Sequence, residues 1–412
     1  MMQLKKNREL RRLLCLVTAI FLMVSCDLRT GQILRGVSHL LDSVEMAHAS
    51  DTRISYWNVY LQGDDGVYSV QGEVVSKSAY DALDRQLKQQ FPDVKNEVLL
   101  LTDDGSGVKV NGLINNSVAN FRAAPGSRNE MVTQALLGTP VRILKVEDGW
   151  GLVQTPSGYM GWVNDSEFYA MDQKEMAGFR EAQKVIYTEQ YGSSYTSPDE
   201  SSMPVSDLVL GCMLSVVSSE AGFFQVQYPD GRLAWVKGEE LVEAEEVFNR
   251  SLSPEGLVEA VLEFNGIPYL WGGSSSKAID CSGLTSNVFF MNGTLLPRDA
   301  DQQALCGREI STDYDYENLM PGDLLFFGSK ASDERPESVI HVAIYLDDSE
   351  FIHASGFRDR VSVNSMDSTR ESFIPDYPEI FVRSVRILGE ELNGFEPITQ
   401  NIFYKEIINT TE

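Results

Sequence analysis

The spacing of apolar positions changes several times along the chain. Residues 13–24 form a mostly apolar run behind a basic stretch, Lys5, Lys6, Arg8, Arg11 and Arg12. The run is too short to span a bilayer, which takes about 20 residues, but it has the length of a leader's apolar core. At 54–75, "ISYWNVYLQGDDGVYSVQGEVV" alternates apolar and polar around a Gly/Asp turn and predicts two strands. Ser78 followed by Asp81 predicts a capping box that opens a helix to about Phe91. "EVLLLTDDGSG" then predicts a strand and a turn.

Short strands separated by Gly, Pro and Asp turns dominate 117–168, which carries a Trp150, Tyr159, Trp162 trio. A weaker copy occupies about 204–242, so the chain contains an internal repeat at the level of small β units. The polar stretch "GSSYTSPDESSMPVSD" at 192–207 is expected to link the two copies. After Arg250 the texture changes. "SLSPEGLVEAVLEFNG" predicts a helix with Pro254 in its first turn and Gly266 closing it. "YLWGGSSSKAIDCSGL" (269–284) leads into an apolar run, and "MPGDLLFF", "HVAIYLDD" and "FIHASG" predict three strands. The last 20 or so residues show no pattern.

Composition adds limits. The chain has 412 residues, 43% apolar and 23% charged, and a net charge of −26. Such a chain repels nucleic acid and anionic lipid, so no nucleic-acid partner is expected. The leader ends "LMVSC", which resembles a bacterial lipobox, in which the cysteine, here Cys26, becomes the lipidated first residue. An ordinary secretion signal or N-terminal anchor is the alternative. The expected location is the cell envelope, with the lipid in a membrane. Beyond Cys15 and Cys26, three cysteines remain, Cys212, Cys281 and Cys306, an odd number for an oxidising compartment.

Cys281 stands between a Gly-rich loop and an apolar run. Taken alone, it reads as core filler or as a nucleophile whose pKa a helix N-terminus lowers. A nucleophilic thiol needs a base, and the chain has only four histidines. His39 and His48 lie in a polar setting near the start. His341 and His353 sit on two predicted strands joined by an Asp347-Asp348-Ser349 turn, which can bring both rings to one sheet face. A Cys/His/His set also suggests zinc, but the spacing lacks close ligand pairs, so no metal or other cofactor is expected.

"YLWGG", "DCSGL", "LPRDADQQ", "MPGDLLFF", "HVAIYL" and "FIHASG" resemble, in this order, the motifs of NlpC/P60 cysteine peptidases over about 253–388. "VRILKVEDGWGLVQTPSGYMGWV" resembles bacterial SH3 domains. Together they resemble the dipeptidyl-peptidase VI type, γ-D-glutamyl-L-diamino acid endopeptidases of cell-wall peptides. The resemblance implies an α+β chain: a papain-like NlpC/P60 domain (251–390) preceded by two small SH3-like β-barrels (114–170 and 200–246). An N-terminal α/β segment (26–113) and a tail (391–412) complete it. It implies Cys281 as nucleophile, His341 as base and His353 as the third polar residue. Tyr269 would serve the oxyanion hole with the Cys281 backbone N–H. Asp280 and Ser282 would meet a free L-Ala amine, with Glu130 and Tyr159 contributed by the first SH3-like domain. The implied substrates are peptidoglycan-derived peptides such as L-Ala-γ-D-Glu-diaminopimelate. An inert wall-binding lipoprotein and a hydrolase of intact peptidoglycan are the rival readings.

Overall fold

The computed structural model describes residues 31–64, 67–101, 111–313 and 316–408. The leader, Cys15 and Cys26 lie outside the described residues. The chain divides into two compact units, Met1–Gly107 and Val108–Glu412.

In the first unit a helix covers 31–48, and strands Trp57–Asp64, Val67–Val74 and Val94–Leu100 form one sheet. The alternation seen at 54–75 folds as an antiparallel pair. The helix Lys77–Gln90 then carries the chain over, so that Val94–Leu100 returns parallel to Val67–Val74. Val37, Leu40 and Val44 meet Val70, Leu83 and Leu87 in the core of this unit. The cap of Lys77–Gln90 differs from the expected box. Ser76, not Ser78, is the N-cap, its Oγ accepting from Ala79 N at 3.2 Å, while Asp81 pairs with Lys77. Two serines two positions apart can both cap by type, and only the backbone angle at Ser76 selects between them.

The second unit begins with two seven-stranded antiparallel sheets, Asn111–Met171 and Lys184–Glu243 at their outer limits. With the strands of each sheet numbered along the chain, both have the spatial order 7-1-4-5-6-2-3. The weak sequence repeat is therefore a full topological repeat. It also starts earlier than expected. Tyr191–Tyr195 and Pro204–Val209 pair as a hairpin inside the second sheet, so 192–207 is no linker. Among the described residues no pairing joins the end strands of either sheet, so each is an open SH3-like sheet rather than a closed barrel.

The last domain is a six-stranded antiparallel sheet in the order Arg308–Ser311, Phe381–Arg386, Leu324–Ser329, Ser338–Asp347, Glu350–Ser355, Arg360–Ser365. The helix Cys281–Met291 lies against it, with every residue but Ser286 and Phe290 buried. Leu284 and Val288 meet Val342, Ile344 and Ile352 in the core. The helix Pro254–Leu262 forms with Ser253 capping as its sequence predicts, but it ends at a Glu263 C-cap, three residues before Gly266 at φ 91°. The patternless C-terminus is not a loose tail. Glu396–Pro397 pairs with Thr294–Leu295, and Tyr404, 3% exposed, stacks among Phe248 and Phe290. Its apolar residues fit one tertiary pocket rather than a periodic face.

Candidate active site

The nucleophile helix begins with an acidic cap. Asp280 Oδ1 accepts from Gly283 N at 2.7 Å, and the backbone N–H groups of Cys281 and Ser282 stand at the helix start, where the helix itself cannot use them. Asp280 Oδ2 accepts from Gly272 N at 3.0 Å, which ties the Gly-rich loop to the cap. Arg298, 6% exposed, then donates to both oxygens of Asp280, at 3.1 and 2.6 Å. It also donates to Ser282 Oγ at 2.8 Å and, through Nε, to Thr133 Oγ1 of the first SH3-like sheet at 2.6 Å. Asp280 and Ser282 are thus buried and engaged by Arg298. The Asp280 carboxylate expected to meet an amine is shared with the Arg298 guanidinium.

An end strand of the first SH3-like sheet, Met131–Leu136, covers the loop in front of Cys281. Gly272 adopts φ 73°, and a Cβ there would stand 2.6 Å from Met131 O, so only glycine allows this approach. Ser274 N donates to Gln134 Oε1 at 3.0 Å, and the Trp271 indole donates to Glu130 Oε1 at 2.9 Å. Glu130 is exposed, while Tyr159 is 5% exposed and within electrostatic reach of Arg298. Glu130 therefore flanks the catalytic domain's loop, while Tyr159 lies near Arg298. The second sheet also contacts this loop, through Lys277 to Asp207 and Ser276 to Gln190 O.

The two strand histidines meet as expected. Asp347 pairs with Glu350, and the intervening Asp348 and Ser349 have φ 50° and 66°, a tight turn that folds one strand back on the other. His341 Nε2 lies 2.7 Å from His353 Nδ1. Two residues not read from the sequence complete the chain. His353 Nε2 lies 3.0 Å from Asn364 Oδ1, and the Tyr377 hydroxyl lies 3.1 Å from His353 Nδ1 and 3.5 Å from His341 Nε2. Asn364 is oriented by Nδ2 donating to Ser372 O at 3.2 Å and by Ser362 Oγ donating to Oδ1 at 2.9 Å. The hydrogen-bond directions follow. Oδ1 only accepts, so His353 carries its proton on Nε2 and accepts at Nδ1. His341 then donates from Nε2, which leaves its Nδ1 lone pair as the free base.

Cys281 joins this group through backbone and charge. The Val342 and Ser282 N–H groups donate toward its sulfur, and a thiolate there is felt by Tyr377 and by Tyr269. Burial nevertheless pushes the thiol up to about 12, and Asp280 adds to this. Burial also lowers His341 well below its ordinary value, helped by His353, and takes His353 down to about 4. Burial thus opposes both the thiolate that a helix N-terminus favours and the charged imidazole. Burial keeps Tyr269 and Tyr377 protonated, each pushed up to about 12. Cys212 and Cys306 are buried and free, each raised to about 12 by burial, and neither touches the histidine chain. Among the described residues no group of three or more Cys, His, Asp or Glu is arranged to hold a metal.

A thiol at a helix start, served by a tautomer-fixed imidazole on an antiparallel sheet, is the apparatus of papain-like acyl transfer. Comparison with known proteins agrees. Residues 266–372 match the NlpC/P60 family and 121–168 the bacterial dipeptidyl-peptidase Sh3 domain. The chain is 30% identical over 275 residues to dipeptidyl-peptidase 6 of Lysinibacillus sphaericus, covering 65% of this chain and 96% of that one. It is 29% identical over 263 residues to the gamma-D-glutamyl-L-lysine dipeptidyl-peptidase of Bacillus cereus, covering 60% and 74%. A crystal structure of an NlpC/P60 family protein from Bacillus cereus shares the fold, with a TM-score of 0.57 and 24% identity over 68% of this chain and 99% of that one. The chain belongs to the NlpC/P60 family of cysteine peptidases.

Proposed function

We propose that the enzyme hydrolyses the γ-D-Glu–diamino acid bond of peptidoglycan stem peptides that carry a free N-terminal L-Ala. The observation that carries this reading is the Trp271–Glu130 hydrogen bond. It holds an SH3-domain carboxylate at the loop before the nucleophile, with Glu130 Oε2 left without a hydrogen bond among the described residues. A short substrate with a free ammonium can pair there, while a chain blocked at its N-terminus meets the covering strand Met131–Leu136. The relatives named for cleaving after γ-D-glutamyl groups support the bond, and this edge position disfavours intact peptidoglycan. Tyr159 lines the same side, with Asp280 and Ser282 as the pocket floor that Arg298 sets.

Cys281 Sγ attacks the γ-carbonyl as its proton passes to His341 Nδ1. The oxyanion is held by the Cys281 N–H and Tyr269. His341 gives the proton to the leaving amine, and a thioester remains. Water, deprotonated by the same imidazole, then releases L-Ala-D-Glu and restores the thiol. His353 and Asn364 hold the tautomer throughout.

The test is incubation of the purified full chain with L-Ala-γ-D-Glu-diaminopimelate, followed by mass spectrometry. Wild type releases L-Ala-D-Glu and Cys281→Ala does not. Equal release by both, or none by either, ends the assignment, and the second outcome favours an inert wall-binding role. We further infer that Cys26 is lipidated and that the enzyme works at the cell envelope. A Cys26→Ser variant should leave the membrane fraction; if it stays there, the anchor is elsewhere.

A further inference from the structure

The turn after His353 carries a charge that the catalytic chain does not use. The strand Glu350–Ser355 ends there and Arg360–Ser365 begins. Loop 356–359 between them is pinned at both ends. Phe357 N donates to Ser355 Oγ at 3.3 Å and Arg358 N to Ser355 O at 3.2 Å. Tyr269 N donates to Asp359 O at 2.9 Å, and a Cβ on Gly356 would stand 3.3 Å from the Tyr269 ring. The loop is therefore held against the tyrosine that neighbours Cys281.

Three side chains on this loop face solvent, Phe357, Arg358 and Asp359. Phe357 is 79% exposed, and the Arg358 guanidinium lies 5.7 Å from its ring centroid. Arg298, Arg308, Arg370, Arg383 and Arg386 of the same domain each pair with a carboxylate. Arg335 and Arg360 have no such partner among the described residues, and neither does Arg358, in a chain of net charge −26. Its positive charge reaches both His353 and Tyr377. An unpaired cation and an exposed ring at the rim of a cysteine-peptidase site leave room for a ligand that is anionic beside an aliphatic stem.

We propose that Arg358 binds a carboxylate of the substrate next to the scissile bond. The proposal rests on the peptide reading above, which supplies two sources of the same chemistry. The γ-linkage leaves the α-carboxylate of D-Glu free, and diaminopimelate carries a second carboxylate on its side chain where lysine has none. A guanidinium meets either with two parallel N–H donors, and the Phe357 ring covers the adjacent methylenes.

The test measures kcat/KM for the full chain and for Arg358→Gln on three peptides. They are L-Ala-γ-D-Glu-diaminopimelate, the same peptide with the D-Glu α-carboxylate amidated, and L-Ala-γ-D-Glu-L-Lys. Wild type should lose roughly 10-fold on at least one altered peptide, and Arg358→Gln should lose that factor on the parent and no more on that altered one. A gap on the lysine peptide assigns the contact to the leaving residue, and a gap on the amidated peptide assigns it to D-Glu. Arg358→Lys should keep part of the preference, because it keeps the charge without the fork. A uniform loss on all three peptides, as altered His353 basicity or folding would cause, overturns the proposal. So does the absence of any loss, or a gap that persists in Arg358→Gln. If wild type cuts none of the three, the peptide reading itself has failed, a result distinct from equal cleavage of all three.

Discussion

Trp271, in the loop before the nucleophile, donates its indole N–H to Glu130, which lies 141 positions earlier on a different domain. The bond makes the SH3-like sheet part of the active-site wall. Glu130→Gln should therefore lower kcat/KM on a free-amine peptide by roughly 10- to 100-fold, since a hydrogen bond to a charged group is worth about 1.5–3 kcal/mol. The N-acetylated peptide should be a poor substrate for both proteins, with no further loss in the variant. Full retention of activity by Glu130→Gln on the free-amine peptide would sink the pocket assignment.

Asn364 is the residue that sets the proton positions in the histidine pair. Asn364→Leu should lower kcat by roughly 10- to 100-fold with KM little changed, because the base loses its fixed tautomer and not its substrate contacts. Asn364→Asp keeps an acceptor and adds a charge that favours imidazolium, so its acid limb in a plot of kcat against pH should move to higher pH. An unshifted limb would show that Asn364 only packs.

The buried histidines make stability depend on acid. His353 has a folded pKa of about 4, below its ordinary 6.5, so the unfolded chain binds this proton first. Stability is unaffected by this group above about pH 6.5 and falls as pH drops from 6.5 toward 4, on the order of 3 kcal/mol across the window. Denaturant midpoints between pH 7 and 4 measure it. His353→Gln should flatten the slope in that window, and an unchanged slope would exclude the group as its cause.

Arg298 and Asp280 form a buried pair that also caps the nucleophile helix. Arg298→Met strands the carboxylate and should destabilise the protein by about 3–5 kcal/mol. The double variant with Asp280→Asn should recover much of this, because asparagine caps a helix as well as aspartate and carries no charge to strand. Thermal unfolding of the two single variants and the double one gives the coupling, and simple additivity would mean that the pair does not interact.

Most of the secondary structure was legible in local pattern, since period and turn chemistry act over a few residues. The strands at 54–75, the start of the helix after Ser253 and the turn between the histidine strands all formed where their residues predict them. The misses share one cause. The stretch 192–207 is rich in Ser, Pro and Asp, as linkers are, yet pairs as a hairpin because the second sheet supplies partners for its backbone. Tyr404 shows no periodic neighbours, yet is buried by rings far away in sequence. Asn364 and Tyr377 belong to an ordinary strand and a one-turn, Pro-bearing helix, and no local feature separates them from structural residues.

The sequence by itself determined the thiol, the two imidazoles and the order in which their elements occur, because those chemistries demand rare residue types and the chain has only four histidines. It also determined the repeat that became two sheets of identical strand order. Tertiary structure alone decided how the site is buried. Desolvation of Cys281 and His341 works against their charged forms, and that burial depends on how completely helix and sheet close around them. It decided, too, that Asp280 faces Arg298 and that Glu130 faces the loop. Charge pairing depends on distance in space, and distance in sequence carries no record of it.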